Sequence, residues 1–163
     1  MSFTMQALNL PPARLKMVRR AGKREVFDVF RKRYVALTPE EWVRQHFLHW
    51  LVAHKDYPVS LIAVESHLMY NQMPRRADAI VYDRHGKPLM IIECKAASVT
   101  LNRDVFDQVA RYNAPFGVPF LVASNGLTHY CCLHDRKAEK WLFLEDVPAY
   151  AELLSRRAAM PGL

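Results

Sequence analysis

From Thr38 onward the apolar residues follow two periods. Three stretches show helical spacing: Trp42, Val43, Phe47, Trp50 and Leu51; then Val105, Phe106, Val109 and Tyr112; then the segment Val147 to Ala159. The first predicts a helix to about Ala53, capped by Thr38, with Pro39 in its first turn and Glu40 and Glu41 at the positive end of its dipole. The second predicts a helix over 103–113 whose core face is Val105, Phe106, Val109 and Tyr112. The third closes the chain and ends basic at Arg156 and Arg157, which suits a helix C-terminus. Between them lie short apolar runs bounded by turn residues: Ser60 to Leu68, Ala77 to Asp83, Pro88 to Lys95, Val118 to Ser124, Thr128 to Leu133 and Lys140 to Leu144. Val118 to Ser124 is unbroken, as in parallel strands buried on both faces, and Asn125-Gly126 ends it in a turn. The order helix, three strands, helix, strand, hairpin, helix predicts an α/β (α+β) fold with a mixed sheet flanked by helices.

Ahead of this core, residues 1–12 read as a loosely held lead. Arg14 to Val18 and Glu25 to Leu37 read as a β-hairpin or small meander, so residues 1–37 form an extension packed on a core of residues 38–163. Phe27, Phe30 and Tyr34 in that extension are either core aromatics or a stacking platform of the kind used by single-strand binders.

Charges inside two of the strands change the picture. Asp78, Glu93 and Lys95 interrupt ADAIVYD and PLMIIECK, and a lone charge buried in a sheet needs a partner, a metal or solvent. Side chains alternate along a strand, so Glu93 and Lys95 share a face with Leu89 and Ile91, opposite to Cys94, Ile92 and Met90. With Arg84 to Lys87 as the loop, Asp83 pairs with Pro88, and the same register sets Asp78 opposite Glu93. Facing carboxylates at cross-strand distance repel unless a proton or cation lies between them, and a hard divalent cation suits them best. A slip of one residue would send Asp78 to the other face.

Asp78 followed at hairpin distance by Glu93-Cys94-Lys95 resembles the signature of the PD-(D/E)XK nuclease superfamily, with Ala77 where the motif has proline. Gln108-Val-Ala-Arg-Tyr112 is similar to the Gln-x-x-x-Tyr element that follows the catalytic hairpin in several of its families. Thr38-Pro-Glu-Glu-Trp-Val-Arg-Gln45 resembles the opening helix of the N-terminal domain of type I restriction enzyme R subunits. The resemblance runs from about Ala36 to the end. It implies a restriction-endonuclease-like αβββαβ core and a metal-dependent DNA endonuclease that hydrolyses phosphodiester bonds. Asp78, Glu93 and the main-chain carbonyl of Cys94 would hold Mg²⁺ or Mn²⁺, with Glu41 as a further carboxylate; Glu65 is a second such candidate. Lys95 would orient the attacking water or steady the phosphate, and Gln108 and Tyr112 would position the backbone near the cut. The alternative is a nucleic-acid-binding or assembly module that keeps this fold without cutting. The implied partners are DNA, restriction-modification or helicase subunits, and a second copy in a homodimer.

Charge and composition refine this. Nine Lys/Arg fall in residues 1–37 against only Glu25 and Asp28, which accounts for the whole net charge of +7. A basic segment on a neutral body suits phosphate contact, with Arg14, Lys16, Arg19, Arg20, Arg75 and Arg76 as candidates; a solvated surface is the plainer reading. Just over half the residues are apolar, which excludes a disordered chain. No run reaches membrane-span length and the first residues lack a signal-peptide pattern. Three cysteines, two of them adjacent, make no disulfide framework, so a reducing cytoplasm is expected. His46, His49 and His54 lack a ligand pattern and read as structural, and a zinc site at Cys131 and Cys132 is not expected because the two point to opposite faces. No Gly-x-x-x-x-Gly-Lys-Ser/Thr loop is present, so no nucleotide-driven motor is expected in this chain.

Overall fold

The computed structural model describes residues 4–160. A three-stranded antiparallel meander comes first: β1 (Met17–Arg20), β2 (Lys23–Asp28) and β3 (Arg33–Ala36). Helix α1 (Pro39–His54) follows, then β4 (Ile62–Tyr70), β5 (Met73–Tyr82) and β6 (Pro88–Cys94), helix α2 (Arg103–Asn113), β7 (Phe120–Ser124), β8 (His129–Asp135), β9 (Lys140–Leu144) and helix α3 (Tyr150–Ala158). Strands β4 to β9 form one six-stranded sheet in chain order. Every neighbouring pair in it is antiparallel except β6 and β7, and α2 makes the crossover that a parallel pair requires. Thr38 caps α1, its hydroxyl accepting from Glu41 N at 3.1 Å. No helix among the described residues is long and apolar enough to cross a membrane.

Both faces of the sheet are covered. On one, Met90, Ile92 and Cys94 pack with Phe47, Leu48 and Leu51 of α1 and Leu153 of α3; on the other, Ile80, Ile91 and Leu121 pack with Phe106 and Ala110 of α2. All five residues of β7 are buried, as its unbroken apolar run predicts. Cys131 and Cys132 fall into opposite cores.

The hairpin turn departs from expectation. Ala79, Ile80 and Val81 pair with Ile92, Ile91 and Met90 in the expected register, but a bulge between Val81 and Tyr82 shifts it, so Tyr82 pairs with Pro88. Asp83 N donates to Lys87 O at 2.8 Å, and Asp83 Oδ1 accepts from His85 N and Lys87 N at 2.8 and 2.9 Å. An aspartate gripping two turn amides is the reason: it closes a tighter turn than a pairing with Pro88, which has no N–H to return. The bulge absorbs Leu89, which packs with Met90 and Ile92 rather than on the face of Ile91 and Glu93.

In the N-terminal region the second of the two expected forms is found, and the lead before it differs from expectation. The extension is a full meander, because Asp28 caps the turn after β2 through Phe30 N at 2.7 Å and Arg31 N at 3.1 Å and sends the chain back as β3. Residues 4–12 are not loose; Met1 to Phe3 lie outside the described residues. Asn9 N donates to Gly126 O at 2.8 Å, Trp42 Nε1 donates to Gln6 O at 3.0 Å, and Leu8 packs into the core of the α1 face. The contact needs glycine at 126: φ is +85°, and a Cβ there would stand 2.8 Å from Leu8 Cδ2 and 3.2 Å from Val43 Cγ2. Gly126→Ala is therefore expected to cost about 1–3 kcal/mol. Its melting temperature should drop by several degrees and the Asn9 amide should exchange faster; an unchanged pair of values would show that this strap is not clamped.

Candidate active site

Continuing the β5–β6 register by one residue sets Asp78 against Glu93. Asp78 Oδ2 accepts from Cys94 N at 2.7 Å. Burial is the first cause that raises the pKa of Glu93, to about 8, and the Asp78 charge and hydrogen bond add to it. The Lys95 charge and the Asn113 side chain oppose the shift and are outweighed. Glu93 is therefore held toward its protonated form beside Asp78. Lys95 is the first residue beyond β6. Its amide donates to Ser124 O at 2.8 Å, which ties this end of β6 to β7 and keeps the half-buried ammonium beside Glu93.

A third acid stands level with these two. Val64 pairs with Ala79 and Ser66 with Ala77, so Glu65 faces Asp78 across β4 and β5. Three carboxylates abreast would repel strongly. Glu65 leaves the row through a left-handed backbone, φ +52°, a conformation that costs a non-glycine residue about 1–3 kcal/mol. Its carboxylate is held instead by Arg76 at 2.5 Å, Arg31 at 3.3 Å and Arg44 at 3.5 Å.

Glu41 is likewise held by arginines. The resemblance implied a carboxylate facing a metal, but both its oxygens are engaged. Oε1 accepts from Arg31 Nη2 at 2.6 Å and Arg44 Nη2 at 2.7 Å, and Oε2 from Arg44 Nε at 3.0 Å and Gln45 Nε2 at 3.2 Å. Burial works to raise its pKa, yet the two arginines outweigh burial and hold it below the usual range. Glu41 thus clamps Arg44, whose Nη1 lies 3.7 Å from Asp78 Oδ1. His46 is structural, its Nδ1 2.8 Å from Trp42 O, and among the described residues no group of three or more His, Cys, Asp or Glu is placed to hold a metal.

Helix α2 presents its residues differently from expectation. Phe106, Ala110 and Asn113 are buried, whereas Gln108 and Tyr112 are exposed, Tyr112 by 45%. The buried stripe runs i, i+4, i+7, and Tyr112 falls beside it. The Arg75 guanidinium lies 4.9 Å from the Tyr112 ring centroid. Asn113 was missed: its buried side chain stands near enough to Glu93 to oppose the shift in its pKa, while Nδ2 donates to Val109 O at 2.8 Å. Its spacing from Phe106 was the available signal, since a polar side chain on a core stripe needs a buried partner.

Of the basic candidates, Arg14 is exposed, Arg19 donates to Gly22 O at 3.3 Å, and Arg20 pairs with Glu25 at 3.3 Å. Lys16 and Arg20 both lie over Tyr34, which packs edge-to-face on Phe27, so those rings already carry cations. The cleft beside Asp78, about 660 Å³, is lined by Arg76 from among these candidates and by Arg31, Arg33 and Arg44, together with Tyr34 and Glu65.

The titration of Glu93 has a consequence for stability. Its folded pKa is raised above its ordinary 4.5, so its contribution is complete below that value and is lost as pH rises through about 8. Urea midpoints measured from about pH 5 to 9 should fall for the wild type relative to Glu93→Gln. Parallel curves for the two proteins would mean that Glu93 titrates normally.

A family model described as type I restriction enzyme R protein N terminus (HSDR_N) matches residues 39–148, about two-thirds of the chain. Comparison with curated proteins gives no match. Among solved structures, the chain is similar to a fragment assigned to an HsdR subunit of a type I restriction enzyme from Vibrio vulnificus YJ016, with TM-score 0.53 and 17% identity over 75% of this chain and 25% of that one. It is also similar, at TM-score 0.43 and 19% identity, to the DrdV–DNA complex seen by electron cryomicroscopy, over 72% of this chain and 12% of that one. The chain thus spans about a quarter of the HsdR fragment, and at this identity the likeness concerns the fold alone. With the family model matched across the helix, the acidic hairpin and the strands that follow, this chain belongs to the family of type I restriction enzyme R protein N-terminal domains.

Proposed function

We propose that this domain is a metal-dependent DNA endonuclease whose site is Asp78, Glu93 and Lys95. The observation that supports the reading is the half-buried pair of Asp78 and Glu93, which the β5–β6 register sets opposite each other at the end of the hairpin. With both carboxyl groups ionised the pair would repel, and a divalent cation between them relieves that repulsion. The donor set is hard oxygen, which fits Mg²⁺ or Mn²⁺: Asp78, Glu93 and the Cys94 carbonyl would hold the ion, and water or phosphate would supply the other ligands. When bound, the ion lowers the pKa of a water and stabilises charge on phosphoryl oxygens.

The remaining chemistry belongs to the chain. Glu93 gives up its proton as it becomes a ligand, so affinity for the cation rises with pH toward about 8. Asn113 then keeps the ionised Glu93 oriented. Lys95, fixed at the end of β6 by the hydrogen bond its backbone N–H donates to Ser124 O, orients the attacking water or meets the charge on the phosphate. Arg33 and Arg76 in the cleft and the Arg75–Tyr112 stack at its side would contact the DNA backbone without reading bases. DNA is the substrate, the cytoplasm the compartment, and helicase or restriction-modification subunits the partners under this reading.

Supercoiled plasmid and single-stranded circle, incubated with Mg²⁺ or Mn²⁺, should be nicked by the wild type. Rates for Asp78→Ala and Lys95→Ala should be at least about 10²-fold lower. If the wild type leaves DNA intact but binds it in a salt-sensitive way, and binding survives when Asp78, Glu93 and Lys95 are all alanine, the domain is a binding module.

A further inference from the structure

We propose that Arg44 is a resident counter-ion of Asp78, a fixed positive charge that lowers the affinity of the carboxylate pair for a divalent cation. The inference rests on the pair being a cation site. Arg44 Nη1 stands 3.7 Å from Asp78 Oδ1, while the other oxygen of Asp78 accepts from Cys94 N. A cation approaching Asp78 therefore meets a guanidinium already beside the carboxylate. Like charges at this range oppose each other even when the surroundings screen well.

The guanidinium cannot swing aside. Its side chain is 10% exposed, and its Nε and Nη2 form a two-pronged bond to Glu41. Behind Glu41 stands Arg31, which bonds Glu41 through Nη2 and Asp28 through Nε. Asp28 is fully buried and fixed by two backbone amides of its own turn. The series Asp28, Arg31, Glu41, Arg44, Asp78 alternates in sign from the N-terminal meander to the site. Its first four members cancel, so no excess negative charge stands behind Asp78 to draw a cation in. Arg31 precedes residues 39–148, the segment that matches the family model. An appended element thereby sets the ion affinity of the shared core, with Arg31 acting through Glu41 and Arg44.

Free Mn²⁺ measured by electron paramagnetic resonance during titration of the whole chain tests this, with melting curves to establish folding. Arg44→Gln should bind Mn²⁺ about tenfold or more tightly than wild type, because the cluster loses a positive charge near the ion. Arg44→Lys keeps the charge and should stay within about twofold of wild type. Arg31→Gln should shift in the same direction as Arg44→Gln but by less, about two- to fivefold, and serves if Arg44→Gln does not fold. Asp78→Ala should abolish binding and so assigns the signal to this pair. Wild-type binding with unchanged or weaker binding in folded Arg44→Gln, or in Arg31→Gln where the former does not fold, overturns the counter-ion and leaves the cation site standing. Absence of Mn²⁺ binding in every variant overturns both.

Discussion

The β5–β6 register is the constraint on which the site depends. Side chains alternate with a period of two, so only a register that opposes Ala79 with Ile92 brings Asp78 to Glu93 while Ile80 and Ile91 enter the α2 core. A bulge near the turn takes up the odd residue and leaves the functional end in step. The parallel pairing of β6 with β7 then places the hairpin inside the sheet, covered on both faces, where a carboxyl group is poorly solvated. Fold and chemistry come from the same pairing: burial and the facing Asp78 charge together push Glu93 toward its protonated form.

Charge at this end of the sheet is managed by neutralisation at close range. Glu65, Asp78 and Glu93 stand level on three adjacent strands, and each is compensated differently. Glu65 turns out of the row and takes three arginines. Asp78 has a backbone amide and a nearby guanidinium. Glu93 has its own proton, with Asn113 and Lys95 beside it. These groups are half-buried, so solvent screens the pairs and the cluster fixes side-chain positions more than it adds stability. The meander is joined to the core through this cluster as well as through its apolar residues.

The elements of the core were legible because their periods are clean: Thr38-Pro-Glu-Glu opens a helix, the continuous run ending in Ser124 is a buried strand, and Asn125-Gly126 turns. Asp78 and Glu93 were legible as a pair because a turn between them fixes which residues can face each other. The turn itself was not, since Asp83 can grip two amides only when the chain folds back one residue sooner. Tyr112 shares an apolar spacing with Val105, Phe106 and Val109, but the buried stripe through Phe106 and Ala110 continues to Asn113 and leaves Tyr112 outside.

What the sequence determined by itself, then, is whatever depends on neighbours along the chain: periodicity, caps, the identity of the acids and lysine in the hairpin, and the concentration of positive charge before Thr38. Only the tertiary structure decided which charges meet. Arg31, Glu41, Arg44, Glu65 and Asp78 come from a turn, a helix and two strands, and nothing local distinguishes a carboxylate that will face a cation from one that will clamp an arginine. That choice is made by burial and by distances of a few ångströms between distant segments, where Coulomb energy changes steeply and sequence spacing carries no information.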